Sequence, residues 1–253
     1  MKLLDPVDYN KVVKPLLEVP INTLYARAVV EKKYVKGWVY VDNPENPHSF
    51  YIIHPCGMSL SFGVPQSRYH DEYRSNEWML SYPNLDDPGN FFSETYTKLF
   101  NYTRIHFKFN KEKYNYKKNE DLNIIRTDRD IYNTLKGPIH PKYYWDNIDD
   151  FLNIGLGFSL IHEGQAVATA FTTSIIDNIV DIGVVTLPQY WGRGFGVEVA
   201  NAMVEFLVAA ECKPRWGTFS YNLQGIRVAE KLGFEIEETL PCHGLLYLPL
   251  TSR

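Results

Sequence analysis

An apolar run at Asn178–Thr186 passes through Leu187 and Pro188 into three glycines spaced two apart, Gly192, Gly194 and Gly196, which open a helical pattern. Glycines at a helix start let the backbone itself approach a ligand, and the N–H groups there carry the positive end of the helix dipole. Val197, Ala200, Val204, Leu207 and Val208 recur at the helical period, while Glu198, Asn201 and Glu205 fall on the other side. The stretch therefore predicts a strand, a loop shaped for a diphosphate, and an amphipathic helix. Its spacing is not the G-x-G-x-x-G of dinucleotide sites, and it lacks the Lys and the Ser or Thr that follow the last glycine of a P-loop. Both of those sites lose weight.

A second motif follows. Trp216–Phe234 reads as a strand, then Asn222, then a short helix with Ile226, Ala229 and Leu232 inward, ended by Gly233–Phe234. Upstream, Phe151–Ile161 and Gln165–Ile176 flank a turn at His162–Gly164, and Asp177–Asn178 turns the chain into the strand that ends at Thr186. This is an antiparallel meander feeding a glycine-opened helix.

Taken together, these motifs resemble the GCN5-related N-acetyltransferases, whose acyl-coenzyme A loop runs strand, V-x-P or T-x-P, R/Q-x-x-G-x-G/A, helix. Thr186, Leu187 and Pro188 match the first part, and Trp191, Gly192, Arg193, Gly194, Phe195 and Gly196 the second, with Trp191 in place of the usual Arg or Gln. The resemblance covers about residues 145 to 253 strand by strand. It implies an α/β fold of the α+β kind: a mixed, mostly antiparallel central sheet with flanking helices. It also implies acetyl transfer from acetyl-coenzyme A to an amine, with cofactor contacts from Val184, Val185, Thr186, Trp191, Gly192, Arg193, Gly194, Phe195, Gly196, Val197, Asn222 and Ala229. In the family the Asn stands where the sheet splays and admits the pantetheine arm, and an N–H near Val184–Thr186 faces the thioester oxygen. Pro141, Trp145 and the G-L-G-F run at Gly155–Phe158 resemble a two-part subfamily that includes zwittermicin-resistance acetyltransferases, as does Gly37–Pro47.

An alkyl ammonium of pKa ~10 must lose a proton before it attacks a thioester. The resemblance places Asp181 where several family members carry a catalytic carboxylate; the other reading is a strand residue facing solvent or paired with a cation. Glu163 and a water relay are further candidates, although Glu163–Gly164 is most simply a hairpin turn. For the acid, many family members use a Tyr in N-x-x-A-x-x-x-Y. Counting from Asn222, this chain has Ala229 there and Gly225 where a Ser is common, so Tyr221 is the nearest phenol. Asn222 is open to two readings, a pantetheine contact or a helix N-cap.

The remaining sequence bounds the setting. A net charge of −4 argues against nucleic acid as partner. No stretch approaches the ~18 apolar residues of a membrane span, and MKLLDPVDYNKVVK does not read as a secretory signal. Cys56, Cys212 and Cys242 form no CxxC and leave one unpaired, which points to a reducing compartment; the expectation is a cytoplasmic enzyme, monomer or homodimer. Seven histidines show no metal spacing, no G-x-S-x-G is present, and Cys212 and Cys242 read as small buried hydrophobes. The basic aromatic run Lys111–Lys118 reads as a solvated loop or hairpin end, or else as a contact for an acidic partner.

At 253 residues the chain has room for two parts, and turn residues cluster between Asn119 and Asp150. The expected division is 1–135, a small α/β subdomain, and 136–253, the acetyltransferase domain. The first part reads as a helix at Asp8–Leu17, strands at Tyr25–Val30, Gly37–Val41 and Phe50–His54, and a helix at Ser93–Phe100; by analogy it is a degenerate copy of the same fold. The function expected is an N-acetyltransferase for a small-molecule amine, an antibiotic or a metabolite. The rivals are a non-catalytic acyl-coenzyme A-binding or regulatory module and a peptide N-terminal acetylase.

Overall fold

A computed structural model describes residues 1–31, 34–63, 77–83 and 98–246. The chain begins with β1 (Lys2–Leu3), α1 (Asn10–Leu17), α2 (Leu24–Val30), β2 (Trp38–Val41), β3 (Phe50–Ile53), β4 (Met58–Phe62), β5 (Glu77–Tyr82) and β6 (Lys98–Phe109). It continues with β7 (Ile124–Arg126), α3 (Arg129–Thr134), α4 (Ile148–Asn153), β8 (Gly157–His162), β9 (Gln165–Ile176) and β10 (Ile179–Thr186). Last come α5 (Phe195–Ala209), β11 (Lys213–Phe219), α6 (Leu223–Lys231) and β12 (Phe234–Leu246).

Two compact units emerge, Met1–Arg104 with Leu240–Arg253, and Ile105–Thr239. The division expected at 135/136 lies instead at 104/105 and 239/240. Its physical reason is β7, which pairs antiparallel with β8 and so ties the turn-rich segment into the second unit.

In the first unit β1 to β5 are neighbours in chain order, antiparallel except for the parallel pair β4–β5, and β12 lies beside β5 with His243 opposite Met79. In the second, β7 to β11 follow the same succession, antiparallel until the parallel pair β10–β11, and β6 lies beside β11. One strand succession thus occurs twice in the chain.

Two elements of the first unit differ from expectation. Tyr25–Val30 is helical, not a strand. Leu24, Ala26, Ala28, Val29 and Val30 are all buried, so the segment is apolar nearly all round and shows no helical period, while Arg27 Nε meets Glu31 one turn on at 2.7 Å. Of the helix expected at Ser93–Phe100, residues 93–97 lie outside the described residues, and Lys98–Phe100 open a strand of 12 residues. Among the described residues no helix is long and apolar enough to cross a membrane.

The second unit is organised on α5. Val199, Ala200, Met203 and Val204 are fully buried in a core with Val180 and Ile182 of β10, Trp216 of β11 and Phe107 of β6. Each large side chain so buried contributes about 1.5–3 kcal/mol. The polar side of α5 is covered as well: Glu198 and Asn201 are buried. Their cover is the basic aromatic run, whose lysines face solvent while its phenols turn inward. Tyr116 donates to Glu198 at 2.9 Å, and Tyr114 donates to Asn201 at 2.7 Å and to Glu205 at 3.2 Å. Burial first, then the neighbouring carboxylate, pushes both phenols up to about 12.

Tyr116→Phe removes a donor from a buried carboxylate, which costs about 1–3 kcal/mol. The expected fall in Tm is about 2–4 °C for each kcal/mol, read by thermal denaturation. Because the folded-state pKa values are raised, the stability these phenols give is complete below pH ~10 and is lost as pH climbs through about 12. A Tm that holds unchanged in Tyr116→Phe would show that the Tyr116–Glu198 hydrogen bond does not anchor the segment to α5.

Candidate functional site

The site begins where two strands part. Strand β10 pairs with β9 from Ile179 opposite Ile176 to Thr186 opposite Ala168, with a one-residue register shift, a bulge, between Asp181 and Ile182. Its parallel ladder to β11 runs only from Ile179–Lys213 to Ile182–Trp216. Both strands continue beyond that last rung, so Gly183–Thr186 presents an edge without β11 beside it. The N–H of Leu187 donates to Val167 O at 2.9 Å, toward β9. Backbone groups alternate along a strand, so the N–H groups of Val184 and Thr186 face the vacated side. On that side the Thr186 carbonyl accepts the Trp191 indole N–H at 2.7 Å.

After a 3-10 turn at Pro188–Tyr190 come the glycines. Gly192 and Gly194 have φ of 80° and 81°, a conformation that penalises any side chain, and a Cβ on either would meet nothing within 4 Å. A Cβ at Gly196 would lie 3.0 Å from Thr186 Oγ1, so the third glycine lets α5 sit close on β10. The first intrahelical donors are Val197 and Glu198, both to Gly194 O. Among the described residues the N–H groups of Gly192, Arg193, Gly194, Phe195 and Gly196 have no protein acceptor. Five successive donors therefore open a helix of 15 residues, under space that a side chain would fill. That is the chemistry of an anion site, and the residues fit a diphosphate. Trp191, more than half exposed, braces the loop against the end of β10 where the family motif has Arg or Gln, and the Arg193 guanidinium lies 5.1 Å from the Tyr190 ring.

Several expected contacts are limited to backbone. The side chains of Val185, Phe195 and Val197 are buried, and Val184 is partly so. Ala229 is 0% exposed and packed in the α5 core, so it has no surface to give a ligand. Asn222 caps α6: its Oδ1 accepts from Gly225 N at 3.0 Å and its Nδ2 donates to Thr218 at 2.9 Å. Tyr221 is 62% exposed and stacks on Phe219, with ring centroids 5.4 Å apart.

The sheet face opposite α5 carries the titratable groups. Val180, Ile182 and Trp216 belong to the α5 core, so Asp181 and Arg215 between them project the other way. Asp181 Oδ2 accepts from Thr173 at 3.1 Å and Oδ1 is sealed from solvent, which is not the open carboxylate expected of a base. Glu163 is a hairpin residue, φ 50° beside Gly164 at 76°, and its tip lies toward the Thr186 end of the sheet, away from Asp181. Sequence reading missed His106, buried on β6, whose Nδ1 lies 2.6 Å from Glu238 on β12. The partners are 132 residues apart, so no local spacing marks them.

A sequence profile described as GNAT acetyltransferase matches residues 14–243. A Bacillus subtilis protein described as "Uncharacterized N-acetyltransferase YdfB" is 24% identical over 216 residues, covering 79% of this chain and 82% of that protein. A GCN5-related N-acetyltransferase-like protein from Streptococcus suis superposes with a TM-score of 0.73 at 20% identity, covering 95% of this chain and 100% of the other. An acetyltransferase of the GNAT family from Colwellia psychrerythraea gives 0.59 at 11% identity, over 97% and 98%. These structures share the fold.

Proposed function

Since the chain belongs to the GNAT acetyltransferase family, we propose that it moves an acetyl group from acetyl-coenzyme A directly to the amine of a small molecule, an antibiotic or a metabolite. The observation that carries this reading is the run of five acceptor-free N–H groups at the start of α5, next to the strand edge that β11 leaves open. The loop 192–196 would hold the diphosphate, and Val184 and Thr186 would pair with the pantetheine amides. An N–H on that edge would meet the thioester oxygen as it gains charge, a contact worth about 3 kcal/mol.

Asp181 sits on the face where the amine would arrive, and we assign it the role of drawing the ammonium there. Asn222 would hold the β11–α6 corner open, and Tyr221 would line its mouth. A module that binds acyl-coenzyme A without turnover would need the same loop; thiol release with amines separates it, and membership in an acetyltransferase family supports the enzyme. The profile match spans residues of both units, which supports the two-part subfamily resembling zwittermicin-resistance acetyltransferases. The three cysteines are free thiols, in keeping with the cytoplasm, and we propose a monomer or homodimer.

Gly194→Val should weaken coenzyme A binding about 10–100-fold, the loss of one or two charge-assisted hydrogen bonds. Its left-handed backbone would cost about 1–2 kcal/mol of stability, leaving the variant folded. Calorimetric titration reads the affinity, and an unchanged Kd in folded protein would sink the loop assignment.

Tyr221→Phe keeps the stack on Phe219. Turnover should fall less than about tenfold, below the 10²–10⁴ typical of a general acid. A larger loss with coenzyme A affinity intact would give Tyr221 the acid role.

Asp181→Asn should raise the KM of the amine roughly tenfold, the order of one unit charge acting across ~10 Å at an effective dielectric of ~20. Steady-state kinetics at saturating acetyl-coenzyme A tests this. A fall in kcat with loss of a pH limb would instead make Asp181 the base.

A further inference from the structure

We propose that His106, oriented by Glu238, takes the proton from the acceptor amine; this rests on the acetyl-transfer reading above. The amine needs a proton acceptor; Asp181 has Oδ2 engaged by Thr173 and Oδ1 shut off from solvent, and Glu163 lies on the hairpin toward the Thr186 end of the sheet. His106 lies between Ile105 and Phe107, both in the α5 core, so its ring projects from the opposite face, the face of Asp181 and Arg215.

Contacts tie His106 to the neighbouring strands. Arg215 is the register partner of Asp181, one residue before the last rung of the β10–β11 ladder, and its guanidinium pairs with Glu237. On β12, Glu238 holds His106. His106 stands on β6, the strand beside β11, so that β11 alone separates it from β10.

Its chemistry suits the task. Glu238 accepts from Nδ1–H, which fixes the tautomer and leaves the Nε2 lone pair as acceptor. Glu238 is the one hydrogen-bond partner of His106 among the described residues, and the side chain keeps 4% exposure. An imidazolium formed there keeps the Glu238 carboxylate as counter-charge, and the other charges on this face are Asp181 and Arg215, the latter paired with Glu237.

The step balances. The ammonium gives one proton to His106 Nε2, and the neutral amine forms the C–N bond to the thioester carbon. The C–S bond breaks with its electron pair on sulfur, and the remaining ammonium proton of the adduct passes to the departing thiolate. His106 then returns its proton to solvent.

The test uses the full chain with benzylamine, spermidine and an aminoglycoside as amine probes. His106→Gln should lower kcat/KM for the best probe about 10²–10⁴-fold and remove the acid limb of the pH–rate profile, with coenzyme A affinity by calorimetry unchanged. Glu238→Gln should shift that limb to lower pH, because the imidazolium loses its counter-charge, and imidazole NMR of the ligand-free chain should show the His106 midpoint falling in the same direction. Parent-like kinetics in His106→Gln, or an unmoved limb and midpoint in Glu238→Gln, would overturn the proposal and leave the pair as a tie between β6 and β12. Should His106→Gln fail to fold, the Glu238→Gln profile and the NMR titration decide. Failure of the parent chain to bind coenzyme A would remove the transfer reading, and the proposal with it.

Discussion

Between β10 and β11 the backbone ladder ends at Ile182–Trp216, although both strands run on, and the rest of the site follows from that short ladder. The cause lies on the β9 side. Strand β10 keeps its pairing with β9 to Thr186, but the register shifts at Asp181/Ile182, where Thr173 is the extra residue of a bulge on β9, and bulges increase local twist. At Gly183 the methyl of Thr173 and the ring of Phe171 occupy the place of a side chain, 2.8 and 3.1 Å from where a Cβ would stand. Strand β11 is tied elsewhere, by Trp216 in the core and by Thr218 to the cap of α6. One strand bends with β9 and the other stays with its helices. The backbone groups left on β10 are costly to bury unpaired and ready to pair with a ligand amide.

What the sequence made legible is what the backbone dictates locally. Gly192 and Gly194 need left-handed φ, and glycine alone takes it without strain, so a local spacing reports a local geometry. The meander of β8, β9 and β10 was readable for the same reason, since Glu163–Gly164 and Asp177 supply its positive-φ turns. Helix α2 was not, because near-complete burial erases the period that distinguishes helix from strand. Nor was the pairing of His106 with Glu238, which depends on two strands distant in sequence lying close. The polar side of α5 misled in a third way. Glu198 and Asn201 recur as an exposed face would, yet the phenols of Tyr114 and Tyr116 bury them.

The two sides of the site are therefore built from different materials. The anion side is made of N–H groups, which every residue but proline supplies, so its side chains are free to vary where glycine is not required. Trp191 illustrates this: the residue type departs from the family motif, and its indole takes over the bracing of the loop through the Thr186 carbonyl. The acceptor side as proposed draws on side chains from β6, β10, β11 and β12, and a register slip in any one of these strands would turn its residues toward the core.

That asymmetry also bears on the missing acid. Ala229 occupies the position where the family motif carries a phenol, and it is wholly enclosed with Leu232 in the α5 core. A ring there would overpack the core, at about 1–3 kcal/mol or more, so α6 in this chain is built without room for an acid at that position. The chemistry tolerates the loss on the leaving side better than on the attacking side. A thiol of pKa ~8.5 departs as thiolate with little help near neutral pH, whereas an amine of pKa ~10 is almost entirely protonated and inert until a base acts. A chain under those two unequal demands can give up the phenol of α6 and still require a proton acceptor on the opposite face of the sheet, which is where His106 and Glu238 lie.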